Sequence, residues 1–360
     1  MATREGTWRY RNRFGDSFGR TYFRRFGPGV VSSIGLGTYL GDPTDAVDDR
    51  YHDAIVTAFE NGVNLVDTAV NYRCQRSERV VGRALVDADV DRDEVVVATK
   101  GGFVPFDGDR PADPSAYVRR EFVDSGLVSP ADFAHGSHCL TPAYIDEMLD
   151  RSLANLSLDH VDLYYVHNPE TQLQTRSRDA VYDQLEAVFT RLEERRATGD
   201  IGVYGVATWA GFRVRPDDDS YLSLQEVVAR AAAAADTVGV DEAGLAAIQL
   251  PFNVTMADAF TVSAHGDDRQ SALRYAHERG LDVFTSASLG QGALAEGIPP
   301  DVDAELTGDT PAQRALNFAR SAPGVTAALV GTSTSAHVAE NIAAGTFDPL
   351  GANAFDSIFE

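Results

Sequence analysis

EVVVATKGG, residues 94–102, decides how this chain is read. Val95, Val96, Val97 and Ala98 run without a polar break, and the run ends on Lys100. A continuous apolar run, as opposed to an alternating one, marks a strand buried on both faces. Lys100 is the only lysine among the 31 Lys plus Arg of the chain. A lone lysine at the end of a buried strand calls for an explanation in charge and chemistry.

Runs of the same kind recur on both sides: SIGLGTYL (33–40), VNLVDTA (63–69), VDLYYVH (161–167), IGVYGVA (201–207), LAAIQL (245–250), LDVFTSA (281–287) and VTAALVG (325–331). Helical patterns separate them. Val181, Leu185, Val188, Phe189 and Leu192 form one stripe, and Gly199 ends it. Thr141-Pro142 reads as a cap followed by proline at the first helical position, ahead of Ile145, Met148, Leu149, Leu153 and Leu156. Ser77 is the expected cap of SERVVGRAL, and SALRYAHERG, PAQRALNFAR and SAHVAENI supply later helices. Eight β-then-α units, with strand starts mostly 30–45 residues apart, predict a single-domain α/β chain folded as a (β/α)8 TIM barrel over 1–360. Residues 1–30 form a lead-in. The one long gap, 101–140 between strands 3 and 4, is rich in Gly, Pro and Asp and predicts a loop insertion over the active-site face.

Composition narrows the function. Hydrophobic residues make up 44% of 360 residues, enough for a large core, and the formal net charge is −23. So acidic a chain is a poor ligand for nucleic acid or anionic membranes. An acid excess with arginine in place of lysine points to solubility in a high-salt cytosol. A GC-rich genome explains the missing lysines but not the extra acids. Cys74 and Cys139 give no disulfide framework. The N-terminus is basic and lacks an apolar core segment, and no apolar run is long enough to span a membrane, so a cytoplasmic protein is expected.

Side chains at the strand C-termini of such a barrel point into the active site. Those at the ends of strands 2, 3 and 4 are Asp67, Lys100 and His167, and Tyr72 follows Asp67 by five residues. A buried Lys100 needs a partner, and Asp67 is the obvious one. A lysine ammonium near Tyr72 would lower the pKa of a phenol that ordinarily titrates near ~10. Tyr72 then serves as general acid or base, while His167 orients a substrate oxygen. The set suits moving a proton at a carbonyl oxygen while hydride moves at carbon.

DTAVNY, ATKGG, YYVHNP and VGTSTSAHVAEN, in that order and on the expected strands, resemble the aldo-keto reductase superfamily. With the acidic composition, the chain looks like a haloarchaeal-type member. The resemblance implies a catalytic tetrad of Asp67, Tyr72, Lys100 and His167. It implies NADP(H) or NAD(H) bound across the strand C-terminal face without a Rossmann fold, and an aldehyde, ketone or sugar as the small-molecule partner. No obligatory protein partner is evident. Cofactor contacts carried over are Gly37, Thr38 and Tyr39 near the nicotinamide, Thr208 and Gln249 at its amide, Ser286 and Leu289 after strand 7, and Gly331, Thr332, Ser333, His337, Glu340 and Asn341 in the eighth unit.

The chain also departs from the family pattern. YRCQRSE replaces a glycine-containing loop and places Arg73 and Arg76 near the mouth, where they would bind a substrate carboxylate or phosphate or else pair with surface acids. Ser286 stands where many members stack an aromatic ring. At the phosphate-facing helix of the eighth unit, Gly331 and His337 stand where NADPH-preferring members place Lys or Arg, which leaves NADH use open. HGSHC (135–139) carries too few donors for a metal site. GLGTYLG (35–41) lacks the spacing of a dinucleotide-binding loop. Two other functions remain to be tested against the fold: a Schiff-base aldolase using Lys100, and a non-catalytic cofactor-binding sensor.

Overall fold

The computed structural model of the chain describes residues 1–15 and 17–359. Eight parallel strands close into a barrel in chain order. They are β1 (Ile34–Gly37), β2 (Leu65–Asp67), β3 (Val96–Gly101), β4 (Val161–His167), β5 (Ile201–Ala207), β6 (Leu245–Pro251), β7 (Asp282–Ser286) and β8 (Val325–Gly331). The principal helices that follow them are α1 (Asp45–Glu60), α2 (Arg76–Asp87), α3 (Pro142–Leu156), α4 (Arg178–Thr198), α5 (Leu224–Val238), α6 (Ala272–Glu278), α7 (Pro311–Ser321) and α8 (Ser335–Ala344). This is the predicted (β/α)8 barrel, and β4, β5 and β8 match their sequence runs end for end.

The continuous apolar runs are explained by two cores. One lies between strands and helices. The other fills the barrel with Leu65, Val96, Ala98, Leu163, Tyr165, Ala207, Ala247, Phe284, Ala327 and Leu329. Tyr165 is large, and β5 makes room for it with Gly205, whose added Cβ would lie 2.6 Å from the Tyr165 ring. The lead-in contributes a helix, Arg4–Arg13, and an antiparallel hairpin, Phe23–Phe26 with Gly29–Ser32. Phe26 meets Phe284 edge-on at 5.5 Å between ring centroids, so the hairpin closes one end of the barrel. The opposite end, at the strand C-termini, stays open.

Helix starts follow the capping rules with one correction. Thr141 accepts from the Tyr144 N–H at 3.3 Å, and Pro142 opens α3 as expected. Ser77 does not cap α2. That helix starts at Arg76 after a left-handed Gln75, and the Ser77 hydroxyl instead donates to the Thr38 carbonyl at 2.8 Å. Segment 101–140 is ordered by its own contacts. Phe103 bridges His138, two short strands pair Phe133–Ala134 with His138–Cys139, and Phe122 is buried against Phe133 and Tyr144. Among the described residues no helix is long and apolar enough to cross a membrane.

Candidate active site

Strand register sets the site. Gly37 pairs with Asp67, His167 with Ala207, and Ala207 with Gln249, so these strand ends lie in one layer around the open mouth. A cavity of about 390 Å³ opens there. Asp67, Tyr72 and His167 line it with Gly37, Thr38, Tyr39, Thr208, Gln249, Ser286, Leu289 and Gly331. Thr332, Ser333, His337, Glu340 and Asn341 lie outside it.

Lys100 sits beneath the cavity floor with no exposed surface. Its Nζ donates to Asp67 Oδ2 at 2.5 Å and to the Thr68 carbonyl at 2.9 Å. Gln249 Nε2 donates to the other Asp67 oxygen at 2.8 Å. Asp67 thus gathers a cation and an amide, as a buried carboxylate must. Burial pushes the Lys100 ammonium below its ordinary value, opposed by Asp67 and the buried Glu78. A lysine so enclosed and doubly bonded cannot reach a substrate carbonyl, which removes the geometric basis for a Schiff base.

The half-buried Tyr72 projects above this pair. Lys100 Nζ lies 5.0 Å from its ring centroid. The rings of Tyr39 and His167 meet it edge-on at 5.0 and 5.9 Å. The expectation that Lys100 lowers the Tyr72 pKa is corrected here. Desolvation holds the phenol well above its ordinary value, and the Asp67 carboxylate and Tyr39 add to the rise. The lysine charge is matched by Asp67 at close range, so the phenol gains little from it. Burial, Lys100 and His138 hold the His167 imidazole well below its ordinary value, so it is neutral at physiological pH.

His167 is seated from the long insertion. His138 Nε2 lies 2.7 Å from the His167 carbonyl, and Gln172 Nε2 lies 2.9 Å from His138 Nδ1. Arg176 in turn donates to Gln172 Oε1 at 3.0 Å. The His138 ring therefore carries its proton on Nε2. Of residues 101–140 only Phe103 lines the cavity, 5.1 Å from His167 ring to ring. The insertion supports one wall more than it covers the mouth.

Arg73 and Arg76 do not face the cavity, which corrects the substrate-binding expectation. Arg73 is 6% exposed and ion-paired with Asp48, while Arg76 Nε reaches the same carboxylate at 2.9 Å and its Nη2 pairs with Asp45. In the eighth unit, Asn341 Nδ2 donates to Thr332 Oγ1 at 2.6 Å, and Glu340 accepts from Thr310 at 2.7 Å. Thr334 caps α8, and no lysine or arginine stands on its first turn.

Sequence reasoning missed Trp209, Asn71 and Asn168, which also line the cavity. Trp209 is 44% exposed. Its backbone N–H donates to Glu170 Oε1 at 2.6 Å, and its carbonyl accepts from Arg213 Nε at 2.7 Å. The signal was present in the sequence: an indole two residues past the end of β5, and an asparagine next to Tyr72. Among the described residues, three buried polar atoms on this wall lack any partner: Thr208 Oγ1, Asn71 Oδ1 and His167 Nδ1. Buried orphans of this kind point to a polar ligand.

The family model "Aldo/keto reductase family" matches residues 33–360. Curated relatives include an NADH-specific methylglyoxal reductase of Escherichia coli, 30% identical over 55% of this chain and 53% of its own length. L-galactose dehydrogenase of Arabidopsis thaliana is 24% identical over 88% of this chain and 85% of its own length. The chain spans less than half of the first curated relatives it matches, 41% of an aldo-keto reductase of Alternaria alternata and 47% of an uncharacterized oxidoreductase of Mycobacterium bovis. Among solved structures, an aldo/keto reductase of Klebsiella pneumoniae in complex with NADP and acetate superposes with TM-score 0.62 at 20% identity, covering 94% of each chain. The glycerol dehydrogenase of Gluconobacter oxydans superposes with TM-score 0.63 at 19% identity, covering 95% of each chain. Those two show the barrel alone, whereas the family model follows the sequence from the first barrel strand to the C-terminus, and the chain belongs to the aldo/keto reductase family.

Proposed function

We propose that this chain is an NAD(P)-dependent oxidoreductase that transfers hydride between nicotinamide and the carbonyl or alcohol carbon of an aldehyde, ketone or sugar. The observation that carries the reading is the Lys100–Asp67 pair, 2.5 Å apart, lying under Tyr72 and His167 at one cavity. The nicotinamide, when bound, supplies the hydride. The orphaned Thr208 Oγ1 and Asn71 Oδ1 fit a carboxamide and a substrate hydroxyl, and Gly37, Thr38, Ser286, Leu289 and Gly331 line the same cavity.

The residues divide the work by protonation state. Tyr72 keeps its proton through neutral pH because its phenol is held up. It therefore donates to a carbonyl oxygen as negative charge develops there. Neutral His167 offers a ring N–H to the same oxygen and fixes its direction. Lys100 stays in place as Asp67's partner and offsets the carboxylate charge that would otherwise oppose the phenol as it loses its proton.

Among the described residues no lysine or arginine lines the cavity to meet a carboxylate or phosphate, and Arg73 and Arg76 belong to Asp48 and Asp45. The turn into α8 likewise offers Ser333, and its first turn His337, to a 2′-phosphate but no lysine or arginine. NADH use, or relaxed use of both cofactors, follows, and the Escherichia coli relative named NADH-specific supports it. Glu340 and Asn341 would contact the adenine side only by giving up their bonds to Thr310 and Thr332. The balance of 54 Asp plus Glu against 31 Lys plus Arg supports a high-salt cytosol and no affinity for nucleic acid.

Replacing Tyr72 by Phe tests the assignment. Turnover should fall by about 10²-fold or more while cofactor affinity stays near that of the parent. Turnover retained in the variant would remove Tyr72 from the mechanism.

A further inference from the structure

Directly after Tyr72 the backbone takes a course that side chains ordinarily avoid. Arg73, Cys74 and Gln75 have successive φ of 47°, 57° and 68°. One left-handed residue other than glycine is uncommon, and three in a row must be held there by their surroundings. They are held on three sides. The Arg73 guanidinium pairs with Asp48, donates to the Asp42 carbonyl at 3.2 Å and lies 5.2 Å from the Tyr51 ring centroid. The Cys74 carbonyl accepts from the Gly108 N–H at 3.0 Å. Gln75 donates to the Phe106 carbonyl at 2.9 Å and accepts from Asn155 at 3.1 Å.

The segment that carries Asp42 and Asp48 begins at Thr38 and Tyr39, on the cavity wall. Tyr39 in turn contacts the Tyr72 ring. We propose that the Arg73–Asp48 pair is a lock that positions Tyr72, clamping the strained turn 73–75 to the segment 38–48 so that the phenol stays above Lys100 and beside His167. The inference rests on Tyr72 as the proton donor. Arg73 is joined to Tyr72 by one peptide bond, so relaxing its φ redirects the chain as it leaves Tyr72. The ring then loses its edge contacts with Tyr39 and His167. A guanidinium suits the task because its planar fork meets a carboxylate and a carbonyl together, which a lysine ammonium does less well. The groups facing Tyr72 are Asp67, Lys100, Tyr39 and His167, and none of them is substituted in the lock variants.

The test compares the parent, Arg73→Lys, Asp48→Asn and the charge-balanced pair Arg73→Met with Asp48→Leu. The pair is included because Asp48→Asn leaves a buried guanidinium uncompensated. Two readouts are taken: steady-state carbonyl reduction, and ultraviolet titration of the Tyr72 phenol, isolated by subtracting the same titration in Tyr72→Phe. Loss of the lock should lower kcat by up to about 10²-fold with little change in KM or cofactor affinity, the cost of a misplaced catalytic group. Tyr72 should become more exposed and titrate at lower pH than in the parent. Arg73→Lys should recover part of the rate. A folded lock variant in which Tyr72 titrates as in the parent overturns the proposal, whatever its rate. If the parent reduces no carbonyl at all, the reading of function fails, and the phenol titration still decides the lock.

Discussion

Asp67 shows how one residue orders its neighbours. Its two oxygens hold Lys100 and Gln249, and its charge adds to the burial that raises the Tyr72 phenol above it. Asp67, Tyr72, Lys100 and His167 were legible in the sequence because each sits at or just past a strand end, where barrel geometry leaves little choice of direction. Arg73 was not legible. Its partner Asp48 lies 25 residues away on another element, and nothing local distinguishes a buried pair from an arginine facing substrate. The shift of Tyr72 was misread for the same reason: a sequence shows which charges are near, not which are already matched. His138 carries a prediction at this scale. Burial holds its imidazole at about 4 in the folded protein, against an ordinary value near 6.5. The folded state therefore binds fewer protons than the unfolded state between those values. Its contribution is fully present above about pH 6.5 and is lost as pH falls toward 4, by roughly 3 kcal/mol in all. Urea unfolding at neutral and mildly acidic pH should show that loss. His138→Asn should flatten the slope without abolishing it, because His167 is depressed in the same direction.

Elements were read well where their signals are local. Apolar runs located all eight strands, and Thr141-Pro142 marked the start of α3. Strands β1 and β2 are shorter than their runs because residues past Gly37 and Asp67 leave the ladder to form the mouth. The start of α2 was misplaced because a left-handed entry at Gln75, unlike a serine cap, has no residue signature of its own when glycine is absent. Ser77 was free to tie Thr38 instead. Segment 101–140 was recognised as important from its length, but its role depends on contacts of Phe103 and His138 with His167 and of Phe106 and Gly108 with the turn after Tyr72, which composition cannot show. The Thr141 cap gives a direct check. Thr141→Ala removes the acceptor of the Tyr144 N–H and should cost about 1 kcal/mol in chemical denaturation, with cofactor affinity unchanged.

At the scale of the whole molecule, arginine is the cation of a very acidic protein, and it is used in clusters. Arg191 and Arg195 share Asp146, and Arg230 bridges Asp183, Glu186 and Glu226. A guanidinium can meet several carboxylates in one plane, which suits a surface where acids outnumber bases. The residual charge of −23 repels itself at low ionic strength. The melting temperature should therefore rise as KCl increases from dilute to molar, by screening, and a flat or falling curve would remove the high-salt reading. The same large negative field opposes an anionic cofactor unless its site is already formed, so binding should be measured in molar KCl.

The most direct measurement is titration of the folded protein with NADH and with NADPH, followed by quenching of tryptophan fluorescence. Trp209 lies on the cavity wall, while Trp8 belongs to the N-terminal helix. Saturable quenching by NADH, at least as tight as that by NADPH and diminished in Trp209→Phe, is the predicted result. A folded protein that binds neither dinucleotide would contradict the account at its centre.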